Sequence, residues 1–270
     1  MNMLDFGQKA AESLKLIRKK KPLIHNITNL VTMNVTANAL LAVGASPVMA
    51  HAHNEVEDML SLSDALVLNI GTLSDDRVFS MLKAGKKASQ LQIPVILDPV
   101  GSGSTTFRTA SAKKLIEKVN IRVIRANPSE ILSLVNRDSK TKGVDSCHSV
   151  DDAYMAAKKL AKELNTTIAI TGRTDLVTDG NRVIRILNGH PLMGCITGSG
   201  CMATAIIAAF VSVDSDVPGA VASALAFFGL AGEIAGRSAV GPGTFMVKLL
   251  DALYTITPGD LEKDARYIEC

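Results

Sequence analysis

The 270-residue chain has little net charge and few cysteines, and both shortages narrow what it can do. Lysine and arginine number 29 against 26 aspartates and glutamates, a formal net charge of +3. The one dense basic run, Arg18-Lys19-Lys20-Lys21, falls at the end of an amphipathic segment, where cations complement the negative end of a helix dipole. With no basic stripe elsewhere, no nucleic-acid partner is expected. The four cysteines, Cys147, Cys195, Cys201 and Cys270, make no C-x-x-C pair and no metal-like cluster with the five histidines. Unpaired thiols of this kind fit a reducing, cytoplasmic setting. The N-terminal segment carries Asp5 and Glu12, so it lacks the unbroken apolar stretch of a secretory signal.

Other absences concern motifs. No G-x-x-x-x-G-K-[ST] occurs, which excludes a Walker-type phosphate loop. Gly101-Ser102-Gly103 is half of a dinucleotide fingerprint, without the third glycine or the later acidic residue. No two histidines stand at helical spacing beside a carboxylate, so His51 and His53 read as polar residues near a pocket rather than metal ligands. Leu192–Val213 holds no charged residue and is long enough to cross a bilayer, but glycine, serine and threonine crowd its first half. Its helical part should begin near Gly200 and be too short to span, so no membrane partner is expected. No linker, repeat or low-complexity stretch appears, and residues 1–270 are expected to form one domain. The most loop-like stretch is Asn136–Ser149.

What the chain does have is apolar mass: 47% hydrophobic residues and a mean hydropathy of +0.23. That excludes disorder and points to surfaces covered by layers or by other subunits. Short β-branched runs recur at Leu23–Ile27, Ser46–Met49, Ala65–Asn69, Val95–Leu97, Val123–Arg125 and Ile168–Thr171. Between them lie helix signals, such as Ser74 before Asp75-Asp76 with apolar Val78, Leu82 and Ala88, and Ser149 before Asp151-Asp152. The runs lack polar alternation, so the strands should be buried on both faces in a mostly parallel sheet with helices on each side. Asp179-Gly180 and Asn188-Gly189 are hairpin signals around Arg182–Leu187, predicting antiparallel strands at the sheet's end. After Gly200 the pattern is helical to the last residue.

Ile196-Thr197-Gly198-Ser199-Gly200-Cys201 sets two glycines and two hydroxyls before a long uncharged helical run. Glycines let the backbone approach a ligand, and the first amides of a helix converge with its dipole on negative charge, so the segment predicts an anion site. Asp98, Asn127, Glu130 and Thr171-Gly172 all fall near predicted strand ends, where ligands bind in open parallel sheets. Asp98 alone is as readily a helix cap or a solvated loop residue, and Glu130 alone complements a helix dipole. Together, two carboxylates beside an anion site are a means of holding Mg²⁺ against phosphates.

Asp98-Pro99-Val100-Gly101, Asn127-Pro128-Ser129-Glu130-Ile131, Ile170-Thr171-Gly172, Thr197-Gly198-Ser199-Gly200-Cys201 and Gly241-Pro242-Gly243-Thr244-Phe245 together resemble the ribokinase-like superfamily. His25-Asn26-Ile27-Thr28-Asn29, Thr36-Ala37-Asn38, Gly44-Ala45-Ser46-Pro47-Val48-Met49 and Leu68-Asn69-Ile70-Gly71-Thr72 narrow the resemblance to the hydroxyethylthiazole kinase family, from about Pro22 to Leu253. The resemblance implies a three-layer α/β/α fold, a homotrimer with its pocket between subunits, and transfer of the γ-phosphoryl group of ATP to the alcohol of 4-methyl-5-(2-hydroxyethyl)thiazole in thiamine biosynthesis. It also implies that Asn29, Met49 and Gly198 border the thiazole and that Arg125 and Thr171 contact ATP. Asp98 and Glu130 would organise Mg²⁺, and the glycine loop, Gly198 to Gly200, would cradle the reacting phosphate. Most ribokinase-like kinases carry Asp where this chain has Cys201, whereas cysteine there is typical of thiazole kinases. A free thiol is mostly protonated at neutral pH, although a helix N-terminus can lower its pKa. Arg173 has no fixed family role. Sister kinases of hydroxymethylpyrimidine or pyridoxal, a hydrate dehydratase on the same scaffold and a non-catalytic nucleotide-binding protein are the alternative readings.

Overall fold

The computed structural model describes residues 3–135 and 149–269. Its strands are β1 (Leu23–Ile27), β2 (Ser46–Val48), β3 (Ala65–Asn69), β4 (Val95–Asp98), β5 (Val123–Ala126), β6 (Thr167–Ile170), β7 (Asp175–Thr178), β8 (Val183–Ile186) and β9 (Tyr267–Glu269). They form one sheet in the order β2-β1-β3-β4-β5-β6-β7-β8-β9. Neighbours from β2 to β6 are parallel, and those from β6 to β9 are antiparallel. The sheet is therefore mostly parallel, as its doubly apolar strand sequences predict.

Parallel neighbours need crossovers, and helices supply them. One layer holds α1 (Met3–Lys20), α2 (Met33–Val43), α8 (Ser199–Val211), α9 (Val217–Gly236), α10 (Pro242–Thr255) and α11 (Pro258–Asp264). The opposite layer holds α3 (Val56–Leu60), α4 (Asp75–Leu91), α5 (Thr106–Lys118), α6 (Pro128–Val135) and α7 (Val150–Leu164). The two-residue period of a strand divides the core between them. On β3, Ala65 and Val67 pack into the first layer's core and Leu66 and Leu68 into the second's. The result is a three-layer α/β/α fold.

Local signals start the helices where the sequence places them. The Ser74 hydroxyl accepts the Arg77 N–H ahead of Asp75 and Asp76, and Ser149 forms a reciprocal capping box with Asp152. The rest of the loop-like stretch, residues 136–148, lies outside the described residues, as do Cys147 and Cys270.

Two expectations fail at the antiparallel end. Asp179-Gly180 does turn β7 into β8, with Gly180 at φ +91° and the Asp179 carboxylate accepting from the Asn181 and Arg182 N–H groups. Asn188-Gly189, by contrast, makes no hairpin. Asn188 is buried and bonded to Glu233, the Asp264 carbonyl and the Arg266 N–H, so the chain is drawn out of the sheet there. The outer partner of β8 is instead β9, which means the chain is not helical to its last residue. Three residues are too short a run to signal a strand by themselves, and the open edge of β8 makes them one.

The uncharged run Leu192–Val213 divides into a short 3₁₀ turn, the glycine loop and α8, whose 13 residues are too few to span a bilayer. Among the described residues one helix, α9, is long and apolar enough to cross a membrane, but it is enclosed by the protein's own core. Phe210 of α8 meets Phe227 of α9 there, ring centroids 5.8 Å apart. Every residue of α8 from Met202 to Val211 is buried, so the helix is seated firmly behind the sheet with its N-terminus at the carboxyl ends of the strands.

Candidate active site

Five strands deliver polar side chains to that end of the sheet: Asn29 just beyond β1, Asn69 closing β3, Asp98 closing β4, Arg125 within β5 and Thr171 just beyond β6. Asp98 is their centre. It has no exposed surface, and its Oδ2 accepts from Asn69 Nδ2 and Thr204 Oγ1, each at 2.8 Å. Its Oδ1 has no hydrogen bond and lies 3.6 Å from the Arg125 guanidinium. Burial raises the Asp98 pKa, against the pull of Arg125, Thr204 and Asn69.

Glu130 stands in the first turn of α6 and serves two loops. Its Oε1 accepts from the Gly101 N–H at 2.7 Å and its Oε2 from the Asn127 N–H at 2.9 Å, while Asn127 Oδ1 accepts from the Glu130 N–H. The last two bonds form a reciprocal cap, so the dipole-complementing reading of Glu130 holds alongside its place next to Asp98. Burial, followed by the negative charge of Asp98, pushes its pKa up to about 7.

Arg125 reaches from β5 to the N-terminus of α8, and its guanidinium meets the Thr171 hydroxyl. A Cβ on Gly200 would collide with that guanidinium, so a side chain there would push it aside. A cation at the positive end of a helix dipole is mismatched, and an anion placed between the two would relieve it. Gly198 caps α8 at φ +86°, and a Cβ there would come within 2.9 Å of Thr32 Cγ2. The Gly172 N–H beyond β6 is held by Asp175 at 2.9 Å.

Cys201 occupies the third position of α8, half-buried. Asn29 Nδ2 and Asn69 Nδ2 each lie 3.2 Å from its sulfur. The net shift of this thiol's pKa is upward. Burial first, then the charge of Asp98, raises its pKa, and hydrogen bonds from Thr32 and Asn29 offset only part of that. Asn29 is itself fully engaged, since its Oδ1 accepts from both the N–H and the hydroxyl of Thr32 at 3.0 Å.

Asn29, Asp98, Glu130, Arg125, Thr171, Gly198, Gly200 and Cys201 thus share one end of the sheet. Met49 follows the edge strand β2, half-buried, at the same end but with no recorded bond to this cluster. His51, His53 and Arg173 are exposed; His53 stands edge-on to Phe79, with centroids 6.0 Å apart. Sequence reasoning missed Asn69 and Thr204. Asn69 sits in a quoted motif but lies inside a buried strand, and Thr204 is a hydroxyl one turn beyond Gly200 in an apolar helix.

For a metal, the local oxygen donors are hard carboxylates, which suit Mg²⁺. Asp98 Oδ1 has an unused lone pair, and each Glu130 oxygen accepts only one recorded hydrogen bond. No group of three or more His, Cys, Asp and Glu residues gathers as a cage among the described residues.

This three-layer fold, with its glycine-opened helix beside a buried aspartate, is that of the ribokinase-like kinases. A Staphylococcus aureus pyridoxal kinase, solved with ADP, shares the fold at TM-score 0.62 and 15% identity, over 92% of this chain and 98% of its own. The model of the Hydroxyethylthiazole kinase family matches residues 14–259, and the chain belongs to that family. A hydroxyethylthiazole kinase of Desulfotalea psychrophila is 60% identical over 99% of this chain and 98% of its own length. The hydroxyethylthiazole kinase structure from Pyrococcus horikoshii matches at TM-score 0.89 and 44% identity, over 97% and 98% of the two chains.

The raised pKa of Glu130 has a consequence for stability. Between its ordinary value of 4.5 and about 7, the folded protein holds a proton that the unfolded chain has released. Stability from this group is therefore present at the acid end of that window and is lost as pH rises through it. Urea unfolding at pH 5 and pH 7 should show that decline, and Glu130→Gln should reduce it, leaving the part that comes from Asp98 and Asp175, whose pKa values burial also raises, that of Asp175 to about 7. An equal pH dependence in the variant would show that Glu130 titrates normally.

Proposed function

We propose that this chain transfers the γ-phosphoryl group of ATP to the hydroxyl of 4-methyl-5-(2-hydroxyethyl)thiazole, the salvage step that supplies the thiazole half of thiamine. Membership of the family carries the reading, and the mismatched pair of Arg125 and the α8 N-terminus supports it, since both favour negative charge in the same place. Arg125 and Thr171 bind the triphosphate. The Gly198–Gly200 backbone surrounds the γ-phosphoryl group as charge moves to the leaving oxygen. Asn29 and Met49 border the thiazole with Gly198, and Asn29 does so without spare hydrogen bonds.

Asp98 and Glu130 would hold Mg²⁺, which neutralises phosphate charge when bound. Cys201 meets the alcohol. Its raised pKa keeps the thiol mostly protonated, so its part is to orient the hydroxyl, and the loose transition state of phosphoryl transfer needs little more. The chain acts as one domain, a reading supported by the continuous sheet. A cytoplasmic setting is supported by the free thiols Cys195 and Cys201.

The working form is a homotrimer. Supporting it are the exposed apolar side chains Leu30, Val31 and Leu41 on and before α2, and Val240, Val247 and Tyr254 on and before α10. These two helices pack on each other, and Leu30 directly follows Asn29. A second copy on this face would cover the site's open side and remove apolar surface from water.

A coupled assay of ADP release should give the highest kcat/KM with the thiazole alcohol among thiazole, hydroxymethylpyrimidine and pyridoxal acceptors. Preference for another alcohol would replace the substrate, and no turnover with any would leave a nucleotide-binding protein. Cys201→Ala should lower kcat without abolishing it. Cys201→Asp should retain or raise it, because the two amides facing position 201 can donate to a carboxylate. A general base typically contributes ~10²–10⁴-fold, so an alanine loss under about threefold would reduce Cys201 to spacing. Light scattering should report about three chains per particle, and a fully active monomer would refute the shared site.

A further inference from the structure

Asn69 is 2% exposed, and its amide is used to capacity. Nδ2 donates to Asp98 Oδ2 at 2.8 Å and lies 3.2 Å from Cys201 Sγ; Oδ1 accepts from Asn29 Nδ2 at 3.0 Å and from the Gly71 N–H at 2.9 Å. The Gly71 N–H can only donate, so it fixes which end of the amide faces the sulfur. Asn29 is fixed in the same way by the Thr32 N–H, which leaves Asn29 Nδ2 facing Cys201. Two N–H groups of settled polarity therefore converge on one sulfur. With two acceptor and two donor bonds each, neither amide can rotate without leaving a buried group unpaired, a loss that costs more than a hydrogen bond is worth.

We propose that Asn69 is a positioning residue for the phosphoryl transfer: with Asn29 it clamps the Cys201 sulfur in one place at the head of α8, where the acceptor alcohol is received. The inference rests on the kinase reading above. Asn69 need not touch substrate to matter, since a small misplacement of an orienting group can cost much of the rate. Its second bond, to Asp98, is the less critical one, because Thr204 Oγ1 holds the same carboxylate oxygen at 2.8 Å. Gly71 belongs to the same construction. A Cβ at that position would press on Asn29 Cβ at 2.8 Å, so glycine there lets the turn after β3 close over the amide pair.

The test is a double-mutant cycle of Asn69→Leu with Cys201→Ala, run on whichever alcohol the wild type phosphorylates best. Asn69→Leu should lower kcat severalfold, by no more than Cys201→Ala does, with the KM for ATP changed by less than about twofold. In the Cys201→Ala background the same substitution should cost under about twofold, because the clamp then holds nothing. Asn69→Ser, which is too short to reach the sulfur, repeats the cycle if the leucine variant does not fold. Equal losses in both backgrounds, a rise in KM at unchanged kcat, or a Cys201→Ala variant that loses less than about threefold would each overturn the proposal. A wild type that prefers another alcohol overturns only the substrate reading, whereas one that phosphorylates none overturns both.

Discussion

Asp98 has no contact with solvent, and the architecture around it is a response to that burial. An unpaired carboxylate in a protein interior is costly unless hydrogen bonds or opposite charge compensate it. The compensation comes from different parts of the chain: Asn69 from the neighbouring strand, Thr204 from α8, and Arg125 from the strand on the other side. Each donor is placed by an element that also belongs to the core, so the polar centre and the apolar layers fix one another. Oδ1 stays without a hydrogen bond, and the charge is compensated only in part.

The same economy governs α8. Its apolar body has no polar side to show to water, which forces it between the sheet and α9 and aims its amides at the strand ends. Glycine at 198 and 200 then serves two separate ends: one is left-handed and close to Thr32, where a side chain would be strained, and the other leaves the Arg125 guanidinium its place. Glu130 performs a comparable double task, capping α6 while drawing in the Gly101 loop. Residues that look like ligand-binding groups here are also what keeps the loops in place.

Much of this was legible in the sequence because the signals were local. The doubly apolar strands, the Ser74 and Ser149 caps and the glycine loop each depend on a few neighbouring residues. Asp98 and Glu130 could be paired because both follow a rule about strand ends. Asn69 and Thr204 were not legible, since an asparagine in a strand and a threonine in an apolar helix acquire meaning only from partners distant in the chain. Cys201 shows the same limit: helix position alone argued for a lowered pKa, and burial beside Asp98, visible only in three dimensions, reversed it. Asn188-Gly189 carries a hairpin signature, but Glu233, Asp264 and Arg266 claim it for another purpose.

The placement of β9 bears on how the protein is made. Tyr267 of this strand stacks on Phe6 of α1, centroids 5.1 Å apart, while its backbone pairs with β8. During synthesis β8 emerges from the ribosome long before its outer partner, and until then its edge offers free N–H and C=O groups to any strand nearby. Nascent chains crowded on one messenger would be most prone to pair wrongly during that interval. Once β9 has followed, it closes that edge and sets Tyr267 against Phe6, two rings far apart in the chain.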